Sequence, residues 1–225
     1  MIQIKNLCKD YNRNGRIFHV LNNINLEIES GDFINIIGRS GSGKSTLLNI
    51  CAGMLTPTSG QIFYHNQDIS RKNDNELSRI RSKNIGFIPQ GASALENLSV
   101  IENILLPACI YSRDNNNNIE EYARNLLGKF NISGLADSFP DELSGGELRR
   151  VLIARALINH PEIIIADEPV SDLDINSACE VMKIFAALNS EGVTILMVSH
   201  DLDTLKYGNK IYTMNSGNLL IGNKL

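Results

Sequence analysis

Tryptophan is absent from this 225-residue chain, and cysteine is scarce, with four in all. Cys8, Cys51, Cys109 and Cys179 are too widely spaced for a metal-ligand motif. They are expected to be small, buried, apolar side chains in a reducing cytosol. A dominant charge is lacking too: 21 Lys and Arg against 25 Asp and Glu leave a net −4, and no basic cluster offers a nucleic-acid footprint. Long apolar runs are missing. Those at 104–110 and 163–166 fall well short of the roughly 20 residues that cross a bilayer. Residues 1–5 alternate like a first strand and do not form an apolar leader. If the chain serves a membrane process, another polypeptide is expected to supply the spanning helices. What is present, 43% hydrophobic and 20% charged residues, is the balance of one large globular domain.

Strands are expected over 2–6, 18–26 and 33–37, the last a continuous apolar run suited to a strand covered on both faces. A helix follows over 45–51, a loop over 56–60, and strands over 61–64 and 85–88 with a short helix at 76–81 between them. From about 91 to 160 the periodicity turns helical, notably over 100–106 and 119–130, and reads as an insert. The Asn-rich tract 114–118 is expected to be a surface loop. The α/β alternation then resumes: strand 163–166, helix 176–188, strand 194–198, helix 201–207, and a hairpin of 211–214 with 218–221. This order predicts an α/β fold around a mostly parallel sheet, one domain spanning 1–225.

Gly38-Arg39-Ser40-Gly41-Ser42-Gly43-Lys44-Ser45, continued by Thr46, fits the P-loop pattern GxxxxGK[ST] between an apolar strand and a helix. Its glycines let successive N–H groups wrap phosphates, and the helix N-terminus adds its dipole. Lys44 is expected at the β- and γ-phosphates, and the Ser45 hydroxyl on Mg²⁺. A chance match is on the order of one per cent in a chain this long, so nucleotide binding is the reading. Asp167 and Glu168 close the apolar strand 163–166, at the carboxyl end where ligands of a parallel sheet gather. Asp167 is the expected Mg²⁺ ligand and Glu168 the base that polarises the attacking water. His200 ends another apolar strand on the same ligand face, where an imidazole could contact the γ-phosphate. His19, His65 and His160 suggest no role.

Ser144 and Glu147 form an S-x-x-E capping box at the start of a helix, and Gly145 and Gly146 leave bare N–H groups there. That is a second anion site in a chain whose P-loop already holds one nucleotide. Two copies placed head to tail would give it work, each capping the ATP held by the other.

With these motifs assembled, the chain resembles the nucleotide-binding domains of ABC transporters from end to end. Residues 38–45 resemble Walker A, 163–168 Walker B, and Leu143-Ser144-Gly145-Gly146-Glu147 the signature. The resemblance implies a P-loop NTPase fold with an N-terminal antiparallel β subdomain and a helical insert. It further implies a Q-loop at Gly86-Phe87-Ile88-Pro89-Gln90, with Gln90 serving catalysis and Mg²⁺. Ser171-Asp172-Leu173-Asp174 would be the D-loop, with Asp174 toward nucleotide. His200 would be the switch histidine and Tyr11 the aromatic stacked on adenine. Glu147 stands where the family usually has Gln, and Val170 where Thr is usual. After Gln90, Gly91-Ala92-Ser93-Ala94 replaces a polar-aromatic stretch.

Residues 53–60 and 97–107 are similar to the branch of macrolide-efflux, lipoprotein-releasing and antimicrobial-peptide-resistance ATPases. The resemblance therefore implies an ATP-hydrolysing subunit, peripheral on the cytoplasmic face of the membrane, that pairs with a second copy and powers separate permease subunits. A lipophilic or peptide-like substrate is expected. The alternatives are a complex that passes force to cell-wall enzymes, or a non-transport ABC ATPase. The latter usually carries two cassettes or a CxxC-hooked coiled coil, and neither is legible here.

Overall fold

Two apolar layers organise the chain, one on each face of a central sheet, as seen in a computed structural model that describes residues 1–91, 94–111 and 118–222. The pair Ala92-Ser93 and most of the Asn-rich tract, singled out above, lie outside the described residues. The central sheet has six strands: β3 (Phe33–Ile37), β6 (Ile85–Ile88), β7 (Ile163–Asp167), β8 (Thr194–Ser199), β9 (Lys210–Asn215) and β10 (Asn218–Gly222). Their order is β10-β9-β3-β8-β7-β6, parallel throughout except for the terminal β9–β10 hairpin. Alternate residues serve alternate layers. Ile164, Ala166, Ile195 and Met197 face one core, while Ile163, Ile165, Leu196 and Val198 face the other. That double covering explains the uninterrupted apolar runs.

The second core fills the space to a four-stranded antiparallel sheet, ordered β2-β1-β4-β5. Its strands are β1 (Ile2–Arg13), β2 (Arg16–Ile28), β4 (Ser59–Tyr64) and β5 (Gln67–Asp68). Ile2, Ile4, Leu7, Leu21 and Ile24 point inward against Leu47 and Leu48 of α1 (Lys44–Cys51), which lies between the sheets. Each such fully buried aliphatic side chain contributes roughly 1.5–3 kcal/mol. α2 (Asp74–Asn84) starts at an Asn73–Glu76 capping box.

The first core carries the helical region: α3 (Val100–Tyr111), α4 (Ile119–Lys129) and α5 (Gly145–Leu157), with α6 (Ile175–Ser190) beside them. The helix expected at 201–207 is present as a 3-10 helix over Leu202–Tyr207, capped by Asp201. Three expectations need correction. β1 runs on past residue 6 to a two-residue turn at Asn14-Gly15, both at positive φ, that pairs Arg13 with Arg16. β5 was not anticipated. Of the cysteines, only Cys51 is buried, its thiol pushed up to about 12 by desolvation, while Cys109 is exposed.

Candidate active site

β3 delivers the chain into the glycine-rich loop, and α1 begins at Lys44 immediately after it. Gly43 is the helix cap with φ +107, where an L side chain is strained. A Cβ there would also meet the Val20 carbonyl at 2.8 Å, so the position admits glycine alone. The Lys44 ammonium bends back over the loop and donates to the carbonyls of Gly38 (2.8 Å) and Arg39 (3.0 Å). Lys44 is buried, and so is Ser42, whose hydroxyl oxygen has no partner.

The ends of β7 and β8 bring the acids to this loop. Asp167 is 5% exposed and lies beside the Ser45 hydroxyl. Its Oδ1 is buried without any partner. Desolvation, ahead of the opposing Ser45 hydroxyl, holds its carboxyl above the ordinary range; the Glu168 charge adds to the rise and Lys44 opposes it. A buried, partnerless carboxylate oxygen beside a serine hydroxyl is the donor set a hard divalent cation uses, so these residues fit Mg²⁺.

Glu168 breaks from the strand with φ +50, a conformation that costs a non-glycine residue about 1–3 kcal/mol. The turn is held by its N–H on Val198 O (3.0 Å) and by Ser171, whose N–H and hydroxyl both donate to Glu168 O at 3.2 and 2.9 Å. One carboxylate oxygen, Oε2, then receives the Gln90 amide at 3.1 Å and lies 3.3 Å from His200 Nδ1.

A cavity of about 250 Å³ joins these parts, lined by Val20, Ser40, Gly41, Gly43, Lys44, Ser45, Thr46, Gln90 and Glu168. Gln90, readable in the sequence only by resemblance, thus meets Glu168 in space. Val20 was missed, and nothing in its strand pattern marks it. A hollow of about 500 Å³ beside Lys129 and Arg150 is larger. Those two cations are already paired with Glu191 and Glu180, and no loop of free N–H groups enters there.

The structure does not bring every expected residue into the cavity. Ser144 caps α5: its N–H and hydroxyl donate to Glu147 Oε2 at 2.8 and 2.6 Å, and Glu147 N–H returns a bond to Ser144 Oγ at 3.4 Å. Helix geometry leaves the Gly145 and Gly146 N–H groups without intrahelical partners. This set lies outside the phosphate cavity. Asp174 is occupied as the cap of α6, accepting from the N–H groups of Asn176 (2.9 Å) and Ser177 (3.1 Å). Tyr11 sits exposed on the β1–β2 hairpin.

Comparison with known proteins identifies the family. Residues 21–171 match the ABC transporter family. The chain is 41% identical, over 220 residues, to an uncharacterized ABC transporter ATP-binding protein of Methanocaldococcus jannaschii, with 98% of each chain aligned. It is also 41% identical to the macrolide export ATP-binding/permease protein MacB of Campylobacter jejuni, aligning along its full length but spanning only 34% of MacB. Among solved structures it is similar to the dimeric ABC transporter cassette MJ0796, with a TM-score of 0.91 and 36% identity over 97% of this chain and 96% of that one. A dimeric post-hydrolysis state of that cassette, bound to ADP and Pi, aligns with a TM-score of 0.91 at 35% identity.

Proposed function

The chain belongs to the ABC transporter family as an ATP-binding domain, and on that premise we propose that two copies close head to tail over two ATP molecules to drive a membrane permease. The observation that carries this reading is the split between two donor sets. The phosphate loop, Gln90 and Glu168 share one cavity, while the N–H groups that open α5 stand apart from it and need an anion from elsewhere. A second copy supplies that anion in the form of its own bound ATP.

Within each half, the loop 38–46 cradles the phosphates and Lys44 exchanges its carbonyl contacts for phosphate oxygens. Mg²⁺, held by Ser45, Asp167 and Gln90, would neutralise charge on those oxygens. Glu168 polarises the water, a task for which its strained turn aims the carboxylate into the cavity. The Gln90 contact with Glu168 ties that carboxylate to a segment leading toward the helical region, so closure and chemistry are coupled. His200, resting against the same carboxylate oxygen, is placed to follow the γ-phosphate. Tyr11 stacks on the adenine. Opening after hydrolysis is a ligand-driven population shift.

Export is the direction supported by the MacB relative, whose name joins macrolide export to a permease. The cargo is lipophilic or peptide-like, and the complex works at the cytoplasmic face. Among the described residues no helix is long and apolar enough to cross a membrane, so the permease must furnish the spans.

Glu168→Gln tests the core of this reading. Turnover should fall by at least the roughly 100-fold typical of a lost general base while ATP binding persists, and light scattering should show a nucleotide-dependent dimer. A variant that hydrolyses at the parent's rate removes Glu168 from its role. One that stays monomeric when saturated with ATP, even beside its permease, removes the head-to-tail arrangement.

A further inference from the structure

Tyr11 and Phe18 are direct register partners across β1 and β2, so both rings project from one face of the hairpin. Both are left open, 42% and 49% exposed. The direction of that face follows from neighbouring residues. Leu21 pairs with Lys9, and Leu21 touches the phosphate loop closely enough that a Cβ at Gly43 would meet its Cδ2 at 2.9 Å. Tyr11 lies two residues beyond Lys9 and returns to the same face; the Lys9 ammonium sits over the Tyr11 ring, 5.2 Å from its centroid. The intervening pair, Asp10 and His19, meets at 2.8 Å on the opposite face. Between Leu21 and His19 the register slips by one residue, and the extra residue, Val20, lines the phosphate cavity. The open rings therefore continue the surface that packs on the phosphate loop. Along the unbulged strand the same stretch is the two residues from Lys9 to Tyr11, about 7 Å, a span a ribose can bridge between phosphates and base.

We propose that Phe18 is a second base-binding residue, forming with Tyr11 a two-ring shelf for the nucleotide's adenine. The inference rests on the reading of Tyr11 as the stacking residue and extends it. Two rings side by side match the width of a fused purine, whereas a pyrimidine covers only one of them. Stacking of this kind needs no hydrogen-bond readout, so the shelf favours purine over pyrimidine nucleotides by contact area alone.

Affinities for Mg-ATP, Mg-UTP and Mg-tripolyphosphate, measured by calorimetry on the protein and on Phe18→Ala, Phe18→Leu and Tyr11→Ala, test this directly. Phe18→Ala should weaken ATP about fivefold, the low end for losing one stacked ring. UTP should weaken less, and tripolyphosphate, which has no base, should bind unchanged. Phe18→Leu should recover only part of the loss. If Tyr11→Ala weakens ATP and Phe18→Ala does not, the second ring is overturned while the reading of Tyr11 stands. If neither variant changes ATP binding, the base is held elsewhere and both readings fall. Equal weakening of tripolyphosphate by Phe18→Ala would assign its effect to folding of the phosphate loop, which also overturns the proposal.

Discussion

Asp167 and Glu168 are chain neighbours with opposite environments, and their chemistry separates accordingly. Asp167 ends β7 in the core, its carboxyl raised chiefly by desolvation. Glu168 leaves the strand through a strained turn and offers its carboxylate to Gln90 and His200. Because the folded Asp167 carboxyl titrates above the unfolded value near 4, ionising it costs the nucleotide-free fold stability at neutral pH, and that cost is relieved on acidification. Asp167→Asn should therefore raise the melting temperature of the nucleotide-free protein. It should also lower Mg²⁺-dependent hydrolysis by several kcal/mol of activation, on the order of 100-fold or more. Acidification should weaken Mg²⁺-dependent nucleotide binding from a higher pH than an ordinary carboxylate would allow. A variant that melts lower and still turns over normally would mean that Asp167 serves structure alone. The two acids and the glycine loop were legible because an apolar strand followed by such residues places them at the carboxyl end of a parallel sheet. The bond from Gln90 to Glu168 was not, since it joins segments 78 residues apart.

Helix α5 shows what one turn of sequence can and cannot reveal. The S-x-x-E spacing predicted the cap, and the reciprocal bonds of Ser144 and Glu147 are present. Gln in place of Glu147 keeps an S-x-x-Q box, so Glu147→Gln should melt and hydrolyse close to the parent. Glu147→Ala removes the acceptor for the Ser144 N–H and should cost about 1 kcal/mol, seen as a lower melting temperature. Equal damage from both variants would show that the carboxylate's charge, not the box, holds the helix start. The same grammar stood at Asn73-x-x-Glu76, yet α2 was expected only from 76. Leu77 is its one buried residue among those assigned to the helix, so apolar periodicity had little to mark its start. The β1–β2 hairpin was misread for a related reason. Its Asn14-Gly15 turn signal is explicit, but residues 11–19 are all exposed and carry no inside–outside alternation. The first turn of α2 and the tip of the β1–β2 hairpin, held by a cap and a turn with little burial, were the parts not read.

At the scale of the whole molecule, the two sheets must move as one body if events at the hairpin are to reach the ends of β7 and β8. Their shared core does most of this. A polar latch at the opposite end of β7 adds to it. Glu162, just before that strand, accepts from Asn84 at 3.0 Å and Tyr64 at 3.4 Å and meets His65 at 2.6 Å. Tyr64 ends β4 and His65 follows it, so these bonds join the antiparallel sheet to the parallel one. Partial burial pulls the Glu162 carboxyl up, but the bonds from His65, Asn84 and Tyr64 outweigh it and leave it below its ordinary range. A depressed carboxyl contributes stability that is present above the unfolded value near 4.3 and lost as pH falls through the lower folded value. Side chains half open to solvent limit the size: His65 is 51% and Glu162 45% exposed, so about 1 kcal/mol is the expected scale. Glu162→Gln should lower the neutral-pH stability by that amount and flatten the acid limb of the stability curve below pH ~4, as followed by circular dichroism. Binding of tripolyphosphate, which engages only the loop some six strand residues, about 20 Å, away, should stay unchanged. Superimposable acid-unfolding curves for variant and parent would show that the apolar core alone couples the sheets, and that the latch is a surface contact without mechanical weight.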